Sequence, residues 1–319
     1  MIKWAYAMNG WGSPPYGPTN FNVYDWGATA FKCFWDDAFK LISAAGFRGV
    51  ELFFIPGFTR FGIPQSPWNI NMKYGSTRKF VEFLGEVGID KIVSVYVNSN
   101  EIGLRPHVSE DHEKIIGMME EPAKFLNECG GLTLVVTPTA EFCRVQPVTD
   151  EKLKNAVECW NKVGRMSMDY GVKTSIKNDF WCMIRGKELD KFMALADPEH
   201  VWCSLDIAHT IIAGENPLII LNKYKDRLDL VHFNDTKYMD TSNEYQNPHP
   251  ERPEAGKRWF WDLGTGIIDF PSIMKTLVEI GYDGWIVCES NNSPNPLKSL
   301  LRSRWYIDNV LSNILCIKR

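Results

Sequence analysis

Strand-like and helix-like segments alternate without a break along this 319-residue chain, and the alternation predicts a (β/α)8 barrel. Three observations carry that expectation. Eight short apolar runs of strand character recur, and a stretch of helical period follows each one. The segment after the first run, NGWGSPPYG, has no helix directly behind it. It therefore lacks the glycine-rich phosphate turn that usually marks a doubly wound open sheet.

The strand patterns lie at 2–8, 49–55, 91–97, 131–138, 172–177, 201–208, 228–235 and 285–290. The helical patterns lie near 34–45, 75–87, 109–128, 149–170, 187–196, 216–224, 269–281 and 296–313. Phe34, Ala38, Leu41 and Ile42 share one face of the first helix, which Gly46 stops. Phe80, Phe83, Leu84 and Val87 align in the second, which ends at Gly88. Thr149 caps the fourth. After Gly171, the alternate residues Val172, Thr174 and Ile176 favour extended chain. Residues 1–319 read as a single barrel domain. One stretch breaks the rhythm: 237–263, polar and rich in Pro and Trp, is expected as a lid-like insertion over the end of the seventh strand.

Composition narrows the function. Hydrophobic residues are 45% of the chain and charged ones 23%, enough for a sizeable core. A net charge of −4 argues against a nucleic-acid partner, which normally meets a basic stripe. No run reaches the ~20 apolar residues needed to cross a bilayer. The N-terminus shows no signal-peptide pattern, so a cytoplasmic protein without a membrane partner is expected. The eight cysteines are scattered and form no CxxC, as reduced, mostly buried thiols would be. GxGxxG and GxxxxGK[ST] are absent, which argues against a nucleotide cofactor. Twelve tryptophans are an excess. Trp11, Trp26, Trp68, Trp181, Trp259 and Trp261 fall in loop-like segments, where aromatic faces can stack on a sugar or simply anchor the loop. Exposed loop aromatics are also compatible with a homo-oligomer.

In such a barrel, catalytic groups sit where strands end. The polar residues there are Glu51, Thr137, Glu141, Lys177, Asn178, Asp179, Asp206, His209, His232, Asn234, Asp235 and Glu289. An acid, an imidazole and another acid from three adjacent strands form an oxygen/nitrogen donor set suited to Mn²⁺, Mg²⁺, Co²⁺ or Zn²⁺. Each residue also has a plainer reading. An Asp at a strand end commonly caps the next helix, a lone His is commonly structural, and Glu51 could pair with Arg48 or a barrel lysine.

The segments GFRGVELF, SLDIAHT, LVHFNDT and LGTGIIDFPSIMKTLVEIGYDGWIVCES resemble the xylose isomerase-like TIM-barrel superfamily. They are closest to its sugar phosphate isomerase/epimerase branch, with the ketose 3-epimerases and inosose dehydratases. The resemblance spans the barrel and is strongest over 201–290. It implies metal-ligand roles for Asp206, His232 and Glu289, with Glu289 also the proton-transfer base. It implies that His209 touches a substrate oxygen and that Glu51, Asp235 and Arg258 contact substrate. Trp11 and Trp181 are the stacking candidates. The implied substrate is a small carbohydrate, a keto-sugar or polyol, isomerised by proton abstraction α to a carbonyl with a divalent metal.

One position departs from the family pattern. Its fifth strand ends in a glutamate that serves as fourth ligand and second base; here GVKTSIK places Lys177 there. An ammonium cannot ligate a cation. Three readings stay open: the metal persists with Glu141 filling the gap, Lys177 replaces the metal, or the barrel is a silent carbohydrate binder. With one base left, β-elimination from an oxidised sugar or inosose stands as the alternative to isomerisation.

Overall fold

The computed structural model describes residues 2–8, 27–57, 66–99, 103–139, 148–239, 259–289, 291 and 293–316. Eight strands form a closed barrel in sequence order: β1 (Lys3–Ala7), β2 (Gly49–Phe54), β3 (Lys91–Val97), β4 (Thr133–Val136), β5 (Lys173–Lys177), β6 (Val201–Asp206), β7 (Leu228–Phe233) and β8 (Trp285–Cys288). Every pairing is parallel, and β8 closes on β1. The expected (β/α)8 barrel is therefore the observed fold. Helices return between strands: α1 (Gly27–Ala44), α2 (Pro67–Tyr74), α3 (Thr77–Glu86), α4 (His112–Cys129), α5 (Asp150–Asp169) and α6 (Lys187–Leu195). Then come α7 (Ile207–Ile212), α8 (Pro217–Tyr224), α9 (Phe270–Glu279) and α10 (Pro296–Tyr306).

Two of these, α2 and α7, are absent from the sequence reading. Trp68 lies in α2, not in a loop, and Ser66 caps that helix by accepting from Asn69 N. The single turn of α7 starts immediately after β6, where a strand pattern extending to 208 hides it. Thr149 caps α5 as read, its hydroxyl accepting from Lys152 N at 3.2 Å.

Strand alternation divides the side chains between two environments. Outward residues pack against helices in a core containing Phe39, Phe80, Phe125, Trp160, Phe192 and Phe270. Inside the barrel, Trp285 packs against one small cluster of Ala5, Ala7, Val93 and Val287 and another of Tyr96, Val135 and Leu230. Gly49 makes room for that ring: a Cβ there would lie 2.6 Å from an indole carbon. Two register shifts adjust the inward faces. One residue of β3, Val93, is skipped where Val50 pairs with Ile92 but Glu51 with Ser94. Likewise Asp229 of β7 is skipped between the partners of Cys203 and Ser204.

Among the described residues no helix is long and apolar enough to cross a membrane. The described cysteines Cys129, Cys159, Cys182, Cys203 and Cys288 are free thiols. Burial pushes the Cys203 thiol up to about 12.

Candidate active site

Polar side chains from β2, β3, β5, β6, β7 and β8 meet above the Trp285 plug as one connected cluster. At its centre the Lys177 ammonium lies 2.8 Å from Glu289 Oε1 and 3.3 Å from Asp206 Oδ2. It also sits 4.9 Å from the centroid of the Tyr96 ring. Lys177 is 1% exposed, so its charge depends on these partners. Burial alone would lower its pKa, but the attraction of Glu289 and Asp206 wins and raises it. It stays a cation at any working pH.

On one side stand Glu51 and His232. His232 Nε2 is 3.0 Å from Glu51 Oε2 and 3.8 Å from Glu289 Oε1. Ser94 donates to Glu51 Oε2 at 2.7 Å, and Ser204 Oγ lies 3.1 Å from His232 Nδ1. Burial opposes both charges of the Glu51–His232 pair, but mutual attraction overrides it, lowering the pKa of Glu51 and raising that of His232. Burial raises the pKa of Glu289 above the usual carboxylate range, against the pull of Lys177. A raised pKa makes it a stronger base.

On the other side stand His209 and Asp179. The Phe180 backbone N–H donates to His209 Nδ1 at 3.0 Å. His209 Nε2 faces Asp179 Oδ1 at 3.2 Å, and Tyr96 OH donates to Asp179 Oδ2 at 3.0 Å. Burial brings His209 down to about 3, so the ring is neutral. Asp179 is held above its ordinary value by burial. Phe180 and Phe260 flank the imidazole with centroids at 5.1 and 4.9 Å, and Trp259 packs on Phe180 at 5.0 Å. Those rings give the cluster an apolar wall.

Asp206 has two tasks. Its Oδ1 accepts from His209 N at 3.1 Å and so caps α7, while Oδ2 faces Lys177. Within this cluster, the donor atoms mutually within 4.8 Å are those of Glu51, His232 and Glu289. Thus Glu51, read as a substrate contact, stands in the ligand-like group, and Asp206, read as a ligand, stands outside it. This triad fits a divalent cation on three counts. It offers two carboxylates and an imidazole. With Nδ1–H donated to Ser204, loss of the Nε2 proton that faces Glu51 would let Nε2 ligate. Four buried carboxylates (Glu51, Asp179, Asp206 and Glu289) face two cationic groups, Lys177 and His232, an excess that a dication would offset.

The remaining predicted residues divide. Asp235 is buried, and its carboxylate is committed to backbone: Oδ1 accepts from Thr236 N and Oδ2 from Gly266 N, each at 2.8 Å. A Cβ on Gly266 would stand 2.1 Å from Asp235 Oδ1, so the LGTG turn needs glycine there. Trp181 packs partly buried against the outer core. Arg48 pairs with Asp90 at 2.7 Å, not with Glu51. Trp11, Glu141 and Arg258 lie outside the described residues, as do 240–258 of the lid-like segment. Sequence reasoning missed Ser94, Tyr96, Ser204 and Asn291. The signal for the first three was a polar atom within a buried strand, where it must find a partner.

A closed parallel barrel with acids, imidazoles and an ammonium gathered at its strand ends defines a protein of the TIM-barrel class. The chain belongs to the xylose isomerase-like TIM barrel family, whose model matches residues 39–308. It is similar to an inosose dehydratase from Clostridium botulinum, 27% identical over 307 residues that cover 92% of this chain and 94% of that one. A second inosose dehydratase, from Lacticaseibacillus casei, is 34% identical over 124 residues, 38% of this chain; the chain spans only 42% of that relative's length. The solved structure of an L-ribulose 3-epimerase shares the fold with a TM-score of 0.71 at 13% identity, covering 99% of this chain and 96% of that one.

Proposed function

We propose that this chain dehydrates an inosose, a cyclohexane ring bearing one ketone and several hydroxyls, by removing the proton α to the ketone. The observation that carries the reading is Lys177, 2.8 Å from Glu289 Oε1. It places a fixed cation where a second base would otherwise stand. Elimination needs only one base. Glu289 takes the α-proton, the enediolate forms, and the β-hydroxyl departs with that same proton as water. The Lys177 ammonium keeps its proton throughout and lowers the cost of the developing negative charge. Neutral His209, with Nδ1 occupied by the Phe180 amide, keeps its proton on Nε2 and serves as a donor. Glu51, His232 and Glu289 would hold a divalent metal, which when bound polarises the ketone. The flanking Phe180, Trp259 and Phe260 limit water at the reacting carbon. The similarity to inosose dehydratases along nearly the whole chain supports the reading.

A second reading, isomerisation or epimerisation of a keto-sugar, draws support from Asp179, a second buried carboxylate beside His209. One experiment separates the two. The purified, metal-supplemented protein is incubated with an inosose or a ketohexose in D2O and followed by proton NMR and ultraviolet absorbance. Dehydration is expected to give a conjugated chromophore with loss of water. Deuterium at the α-carbon of a recovered epimer would favour the second reading, and no change in any substrate would sink both.

A further inference from the structure

Asn234 follows β7 two residues beyond His232, and so leaves the strand on the same, inward face. It is fully buried. Its amide nitrogen donates to Glu289 Oε2 at 3.4 Å, beside Asn291 Nδ2 at 3.0 Å on the same oxygen. Lys177 takes the other oxygen. Three donors around Glu289 suit the ionised carboxylate and fix the orientation of the Asn234 amide, because a flipped amide would set oxygen against oxygen. That orientation leaves Asn234 Oδ1 buried and without a hydrogen-bond donor among the described residues. A buried amide oxygen without a donor is costly, and it attracts whatever hydroxyl or N–H can reach it.

We infer that Asn234 Oδ1 accepts a hydrogen bond from a substrate hydroxyl near the carbon that Glu289 deprotonates, and so selects among polyhydroxy ketones. The inference rests on the proposed function for its substrate class. A neighbouring acceptor strengthens it: Asp206 Oδ2 contacts the Lys177 ammonium but accepts no aligned hydrogen bond. Two acceptors short of donors at one strand-end cluster fit a ligand rich in hydroxyls, not one rich in anionic oxygens. Asn234 thereby has two functions on its two amide atoms, one toward the base and one toward the substrate.

The test pairs Asn234→Ala and Asn234→Ser with a set of inososes, each lacking a single hydroxyl. With wild-type protein, one deoxy analogue is expected to lose about tenfold in kcat/KM relative to the parent, the scale of one hydrogen bond. In Asn234→Ala that particular difference should vanish, while penalties for the other analogues stay unchanged. A purely supporting role on Glu289 would slow all substrates alike and leave every ratio intact, which would overturn the inference. Ratios measured on one preparation are insensitive to its folded fraction, so partial unfolding cannot mimic the result. Wild-type protein that neither binds nor converts the parent inosose would refute the proposed function and the inference together. Conversion without analogue-specific coupling would refute the inference alone.

Discussion

The backbone amide of Phe180 donates to Nδ1 of His209 at 3.0 Å, and this contact decides which proton the imidazole carries. With Nδ1 accepting, the neutral ring must hold its hydrogen on Nε2, the atom that faces Asp179. The His209 pKa of about 3 lies below its ordinary 6.5. Above pH 6.5 neither the folded nor the unfolded chain protonates it. As pH falls toward 3 the unfolded chain takes a proton that the folded one refuses, so stability drops across that window. Nitrogen-15 spectra should show His209 as a single Nε2–H tautomer that does not titrate between pH 5 and 8. His209→Asn should flatten part of the acid-side loss of stability.

Lys177→Met should destabilise the fold by about 3–5 kcal/mol, because it leaves Glu289 and Asp206 buried without their cation. Chemical denaturation measures the loss. Combining it with Glu289→Gln should recover part of the stability, since one of the uncompensated charges is then gone; simple addition of the two effects would contradict the pairing.

Glu289→Gln alone keeps the size and most contacts of the side chain but cannot accept a proton. Substrate turnover and solvent exchange at the α-carbon should fall by on the order of 10²–10⁴, with the circular dichroism spectrum unchanged. Exchange at the wild-type rate would remove Glu289 from the chemistry.

Metal content should separate Glu51 from Asp206. After equilibration with Mn²⁺ or Zn²⁺ and desalting, Glu51→Gln should lower bound metal, and Ser204→Ala should weaken affinity by about 10–100-fold through His232. Asp206→Asn should retain the metal while lowering the melting temperature, because its carboxylate caps α7 and pairs with Lys177. Metal loss from Asp206→Asn, with retention in Glu51→Gln, would reverse the assignment. Elemental analysis by mass spectrometry gives the stoichiometry.

The barrel was legible because a period of two and a period of 3.6 alternate eight times, a pattern that depends only on neighbours in sequence. The strand-end positions of Lys177, Asp206, His232 and Glu289 were legible for the same reason. The direction each carboxylate faces was not. Glu51 reaches His232 through a pairing 181 residues apart, and no local signal encodes it. Asp235 sits beside a reactive-looking histidine, yet its oxygens hold the Gly266 turn. That could have been read from LGTG, since a glycine pressed against a carboxylate leaves little space for a ligand. The α7 turn was hidden because Ile207 and Ala208 continue an apolar run that suits a strand equally well.

The skipped residue in β3 has a consequence for how this architecture tolerates change. Val93 sits out of register just before Ser94 and Tyr96, which steady Glu51 and Asp179 respectively. Because Val93 is the extra residue, deleting it would leave Ile92 paired with Val50 and Ser94 with Glu51, and both hydroxyls would keep their face. Deleting Val95, by contrast, would turn Tyr96 outward and take the anchor from Asp179. Of two nearby valines in one apolar strand, one can thus be lost without turning the centre's hydroxyls and the other cannot.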